Sequence, residues 1–458
     1  MGQRYDWLPM SKTPERTPSR DPEWNPNRER YWDPSDLEQE LRRTFQICHE
    51  CRMCVNYCGS FPILFNAVDR EIDSGRAEGV ETLGAETFVA VSDHCWQCKL
   101  CYIKCPYTDA DDAPELLDFP RLMAREKAQR ARRDGIPLVD RILGEPRMVG
   151  AAGSGASAPL ANFVNANRLL RKVTEKVTGI SAEFALPPMA KQPFAAWVTQ
   201  HQPAPQAGAR GSVVLFSTCY GDFNFPEVPR HAVKVLEHNG FSVEWSPDQA
   251  CCGMPNLDGG DVGAASQKIR QNVDLLLPLV RKGLKIVVPG PTCGYTMKHE
   301  WPVYVDAPEV AEVASAVVDL MEFLEALRKS HNLDLEFKHS LGSVAYHAAC
   351  HLRAQKIGMP GARVLGKVQD TTVKVVQECS AVDGTWGMKA EYYAEGQRYA
   401  QRLLRGLGES EFDLLVGDCS LAGQRVLGET GRGMVHPITA LAWAYGLEPQ
   451  QTPKRVDE

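Results

Sequence analysis

Two runs of cysteine at one spacing constrain this chain more than anything else in it. Cys48, Cys51, Cys54 and Cys58 read C-x2-C-x2-C-x3-C, and Cys95, Cys98, Cys101 and Cys105 repeat that pattern with Pro106 directly after. This is the spacing by which two-cluster proteins hold [4Fe–4S] cubes, the fourth cysteine of each run serving the other cluster. The physical reason is reach: three thiolates on one tight loop cap one face of a cube, and the fourth must come from elsewhere. Cys48, Cys51, Cys54 and Cys105 are therefore expected at one cluster, and Cys95, Cys98, Cys101 and Cys58 at the other. Zinc prefers paired C-x2-C units and four ligands in all, which two runs of four do not resemble.

The chain has 458 residues and fifteen cysteines. That length allows two or three domains of roughly 100–200 residues. Disulfide frameworks belong to small secreted domains, and this chain is not small, so grouped cysteines point to metal. A formal net charge of −7 argues against a nucleic-acid partner. No stretch reaches the roughly 18–20 uncharged apolar residues that span a bilayer. Residues 1–32 form a polar arm, and residues 1–30 have no apolar segment of the kind a secretory signal carries. The expected location is the cytoplasm, free or peripheral on the inner face of the membrane.

Between the runs, Phe61, Leu64, Phe65 and Val68 recur at helical spacing. Asp33-Pro34 reads as a helix start, with proline at the first helical position. Residues 33–118 are thus expected to form an α-helical ferredoxin domain, followed by a basic helical linker region over 119–210. Within it, residues 119–180 carry twelve Lys/Arg against five Asp/Glu. Residues 150–157 read as a flexible connector. Residues 160–177 are amphipathic, with Leu160, Val164, Leu170, Val173 and Val177 set against Arg168, Arg171, Lys172 and Lys176. Such a helix meets anionic lipid or an acidic partner, or else packs on its own protein, which is the commoner use and the expected one. Residues 187–205, rich in proline, look like a linker.

From residue 211 the pattern becomes strand, helix, strand. Strand 212–217 ends at Cys219, strand 241–245 leads to Cys251-Cys252-Gly253, and strand 285–288 leads to Cys293. The order returns with strand 343–347 before Cys350, strand 372–377 before Cys379, and strand 412–416 before Cys419. Cysteines at the carboxyl ends of strands alternating with helices stand where open α/β sheets bind ligands. The expected fold is α plus α/β: the ferredoxin domain, then two repeated cysteine-rich modules at 211–335 and 336–450, the second degenerate.

These residues resemble the cysteine-rich (CCG) domains of heterodisulfide reductase-type iron–sulfur proteins, most nearly the C-subunit branch of anaerobic glycerol-3-phosphate dehydrogenases. Glycolate- and lactate-oxidising subunits are similar at the domain level. The likeness extends to Glu300-Trp301-Pro302, His347, Cys350-His351, Gly384-Thr385-Trp386-Gly387 and His436-Pro437-Ile438-Thr439. It implies an electron-transfer subunit fed by a flavoprotein dehydrogenase or other redox protein and discharging toward quinone or another acceptor. No G-x-G-x-x-G follows a strand, so the chain has no evident flavin or nicotinamide site of its own.

The resemblance also implies iron–sulfur ligation by the module cysteines, with a third cluster at Cys219, Cys251, Cys252 and Cys293. The second module departs from the pattern: Cys379 is followed by Ser380, and Cys419 by Ser420-Leu421-Ala422. A serine oxygen, Asp383 or His351 would have to fill the gaps, and such ligands hold this iron less firmly than thiolate. Thiol or disulfide reduction at the first module is the alternative function, weakened by that loss, and electron donation to a rubrerythrin-type peroxide reductase is another. His347 and His351 are expected to orient the loop around Cys350, and His436 to be structural.

Overall fold

A computed structural model describes residues 21–109, 112–382, 384–408 and 411–450. The N-terminal layer is helical, and its first long helix, Pro34–Cys51, begins where Asp33-Pro34 predicts. The Asp33 carboxylate accepts the Ser35 N–H at 2.9 Å, satisfying one orphan donor of the first turn. Leu37, Leu41 and Phe45 of this helix meet Phe61, Leu64, Phe65 and Val68 of the helix Ser60–Asp73 in one core. The helix Phe119–Asp134 adds Phe119, Leu122 and Met123 to the same core. The helical body therefore runs past the predicted boundary at 118. Arg125, fully buried on that helix, is paired with Asp36 at 2.8 Å and donates to the Tyr31 carbonyl, clasping the layer.

Two parallel sheets follow. In the first, β1 (Ser212–Leu215), β2 (Ser242–Glu244), β3 (Ile286–Val288) and β4 (Val317–Asp319) lie in the order β2-β1-β3-β4. In the second, β5 (Gly342–His347), β6 (Thr371–Val376) and β7 (Leu414–Gly417) lie in the order β6-β5-β7, with His347 level with Val376 and Gly417. Parallel neighbours need crossovers, here including the helices Glu227–His238, Val262–Val280 and Ala390–Gly408. The strand β4 lies outside the strands the sequence predicts. It follows the helix Pro308–Ala316 without an intervening turn residue, so no punctuation marks it. Leu215 and Val287 share a core with Val344, Tyr346, Ile438 and Leu441, so the two modules are joined by apolar packing.

The basic middle region corrects three expectations. Residues 150–157 are not a flexible connector. They continue the helix Pro146–Gly153 and a short 3-10 turn, Gly155–Ser157. Gly150 is small because Phe223 lies against it, 2.7 Å from where a Cβ would stand. The stretch 160–177 is two helices, Ala158–Ala166 and Arg168–Thr178, divided at Asn167, whose side chain accepts from the N–H groups of Leu169 and Leu170. The apolar face does not pack on the protein. Leu160 is 71% exposed, Phe163 60%, Leu169 76%, Val173 60% and Val177 65%, while Arg171 turns inward and donates to the Ser181 carbonyl. Among the described residues no helix is long and apolar enough to cross a membrane. In the predicted linker 187–205, Phe194 instead anchors a short helix in the core shared by the modules.

A buried ionic joint fixes the helical layer to the first module. Lys99, between Cys98 and Leu100 in the second cysteine run, pairs with Glu300 at 3.0 Å, and Arg121 stands 3.4 Å from the other carboxylate oxygen. Burial opposes the charge on Glu300, but Lys99 and Arg121 outweigh it and pull the carboxyl down to about 2.

Candidate functional site

The helical layer places eight cysteines around two cavities. Cys48, Cys51, Cys54 and Cys105 line the first, with Phe61, Phe65 and Leu117 among its walls. Cys58, Cys95, Cys98 and Cys101 line the second, with Phe61 and Phe119. The fourth cysteine of each run stands in the other run's cavity, the arrangement the spacing predicts. Phe61 lines both cavities, and its ring stacks on Phe119 with centroids 4.7 Å apart.

The chemistry of these donor sets asks for a cationic occupant. Burial, then repulsion from Cys105, Cys54 and Cys51, raises the Cys48 thiol well above its ordinary value. Burial with Cys105 and Cys51 pushes Cys54 up to about 12, and burial with Cys98, Cys95 and Cys58 raises Cys101. Four thiolates at such a site exist only with positive charge among them. Among the described residues, no three His, Cys, Asp or Glu side chains converge tightly enough to hold one metal ion. The residues present fit a four-iron cube, since four thiols are set around one space at each site.

The third cavity, about 870 Å3 and open to solvent, lies between the two modules at the carboxyl ends of their strands. Cys219, Cys251, Cys252 and Cys293 line it. These four form a chain of thiol contacts in which Cys219 and Cys252 donate to Cys251, favouring its thiolate while their own protons are held. Gly253 serves this motif directly: its φ of 91° admits only a residue without Cβ comfortably, and its N–H donates to Cys251. Trp301 donates to the Cys252 carbonyl at 2.8 Å, so the Glu300-Trp301 pair ties the cysteine loop with one residue and the helical layer with the other.

The cysteines of the second module do not gather into one site. Cys350 and Cys379 pack beside Cys98 of the helical layer, whereas Cys419 lines the cavity between the modules. Ser380 is buried, and Asp383 lies outside the described residues. His351 is not placed as a ligand. Its Nε2–H donates to the Gln97 carbonyl at 2.9 Å and its Nδ1 accepts from the Thr292 hydroxyl at 3.0 Å, joining both modules to the loop between Cys95 and Cys98. His347 donates to the Glu378 carbonyl from Nε2. His436 donates to the Pro289 carbonyl at 2.9 Å and accepts from the Ile438 N–H, closing one module on the other. Burial lowers all three rings to about 4, so they are neutral near pH 7. Trp386 of the Gly-Thr-Trp-Gly motif donates to the Asp93 carbonyl and lies 5.1 Å from Trp96, beside Cys95. Gly387 lets its loop close on Ala381, since a Cβ there would stand 2.2 Å from the Ala381 carbonyl oxygen.

Sequence reading misses Lys99 and Gln97, because the contacts that tie them to the modules, Lys99 with Glu300 and the Gln97 carbonyl with His351, are distant in the chain. Only the neighbouring cysteine run hints that they matter.

Residues 213–298 match the family model of the cysteine-rich domain, CCG. The chain is 26% identical over 295 residues to the C subunit of anaerobic glycerol-3-phosphate dehydrogenase from Escherichia coli, a match covering 63% of this chain and 72% of that protein. It is 30% identical over 219 residues to lactate utilization protein A of Bacillus cytotoxicus, covering 45% of this chain and 87% of that protein. Lactate utilization protein A 1 of Bacillus cereus is 30% identical over 216 residues, with the same coverage. The chain belongs to the CCG cysteine-rich family that holds the C subunit of anaerobic glycerol-3-phosphate dehydrogenase and lactate utilization protein A.

Proposed function

We propose that the chain is the iron–sulfur electron-transfer subunit of an oxidoreductase, carrying electrons from a flavoprotein dehydrogenase partner toward quinone. The observation that carries this reading is the crossed placement of the eight cysteines around two adjacent cavities that share Phe61. Cys48, Cys51, Cys54 and Cys105 would hold one [4Fe–4S] cluster, and Cys58, Cys95, Cys98 and Cys101 the other. Cys219, Cys251, Cys252 and Cys293 would hold a third. Such clusters supply one-electron steps between a two-electron flavin donor and an acceptor. The chain's own residues exclude water with Phe61, Phe65 and Phe119, and pin the second run through Lys99, Gln97 and Trp96. The test is anaerobic mixing of dithionite-reduced protein with a short-chain quinone. Reoxidation of the cluster absorbance is expected, and protein that stays reduced would remove quinone as the acceptor.

The exposed faces of Ala158–Ala166 and Arg168–Thr178 support a peripheral membrane contact, which suits a quinone acceptor. Leu160, Phe163, Leu169, Val173 and Val177 are uncovered together, with Arg168, Lys172 and Lys176 exposed beside them. An apolar patch rimmed by cations fits an anionic bilayer surface. Burying one such side chain is worth about 1.5–3 kcal/mol. Replacing Leu169 and Val173 by Asp is therefore expected to weaken co-sedimentation with vesicles containing phosphatidylglycerol by more than about tenfold, with cluster content unchanged. Equal sedimentation of the variant would assign the patch to a protein partner.

A further inference from the structure

We propose that Cys419, from the second module, is a ligand of the cluster assigned above to Cys219, Cys251, Cys252 and Cys293 of the first. The inference rests on that third-cluster reading and adds a thiolate from across the module boundary. Among the described residues, five of the seven module cysteines line one cavity between the sheets, and of these five Cys419 alone is carried by the second module. It follows β7 at the strand's carboxyl end and precedes the helix Ser420–Thr430, so the backbone on both sides is held.

Its partners by repeat have gone elsewhere. Cys350 and Cys379 pack beside Cys98, and the position after Cys379 is Ser380. Cys350 and Cys379 thus lie by the helical layer, whereas Cys419 lines the cavity that holds the four thiols of the first module. His436, which also lines the cavity, bonds to the Pro289 carbonyl at 2.9 Å and fixes the distance between the two sides. The cavity has thiols on two walls, Cys219, Cys251, Cys252 and Cys293 on one side and Cys419 on the other. Thiolate is the soft donor such iron prefers. Ligation from both modules makes cluster loading a tie between them, beyond the apolar core they share.

The test compares iron, acid-labile sulfide and EPR spectra of anaerobically purified wild type with four variants: Cys419→Ala, Cys419→Ser, Cys379→Ala and Cys251→Ala. A signal lost in Cys251→Ala and unchanged in Cys379→Ala identifies the third cluster. Cys419→Ala is expected to lose that same signal or about four iron, and Cys419→Ser to keep iron with shifted g-values, an oxygen replacing sulfur. A Cys419→Ala protein with wild-type iron and an unshifted third signal would overturn the proposal while leaving the third cluster standing. Wild type and Cys251→Ala with identical iron and spectra would overturn both.

Discussion

Replacing Cys58 by alanine is expected to remove the cluster of the second cysteine run and leave that of the first. Cys58 sits on the first run in sequence, yet it stands with Cys95, Cys98 and Cys101 in the structure. Removing it therefore leaves a three-thiolate site at the second run and all four thiols of the other cavity. The reduced-state spectrum of Cys58→Ala should match that of Cys98→Ala, with about four iron lost in each. Cys105→Ala should match Cys51→Ala instead, because Cys105 stands with the first run. If ligation followed sequence, Cys58→Ala would pair with Cys51→Ala. The four spectra separate the two arrangements without knowledge of substrate or partner.

The second large effect concerns stability. Replacing Glu300 by Gln leaves the buried Lys99 ammonium without its anion, and breaking one side of a buried pair costs about 3–5 kcal/mol. Denaturant unfolding should show a lower midpoint with an unchanged slope, and a loss below about 0.5 kcal/mol would mean that the joint is solvated. The pH dependence carries a definite sign. The Glu300 carboxyl sits at about 2 in the folded protein against an ordinary 4.5. Its contribution is therefore fully present above about 4.5 and is lost as pH falls toward 2. The Glu300→Gln protein should lack that part of the acid-induced loss.

Much of this architecture is legible in the residues. The spacing of the two runs predicts which thiols share a cavity, because a tight loop cannot bring four thiolates to one cube. Asp33-Pro34 predicts a helix start because capping is local chemistry. The strands that end in cysteine announce themselves by short apolar runs. What is not legible depends on docking. Periodicity shows that 160–177 has an apolar face, not whether anything covers it, and the structure leaves that face open. Repeat symmetry suggests that Cys350, Cys379 and Cys419 belong together. Their separation goes with the docking of the helical layer on the second module, through Trp386 on Trp96 and His351 on Gln97. Such contacts join residues roughly 250 or more positions apart in the sequence, and no local pattern encodes them.

Iron and acid-labile sulfide per chain, measured with the EPR spectrum on protein purified without oxygen, test the central claim most directly. Two cubane sites predict at least about 8 iron and 8 sulfide, with the reduced-state spectrum of two interacting [4Fe–4S] clusters, and about 12 of each when the cavity between the modules is also loaded. Zinc in place of iron, or iron near zero after anaerobic reconstitution, would contradict it.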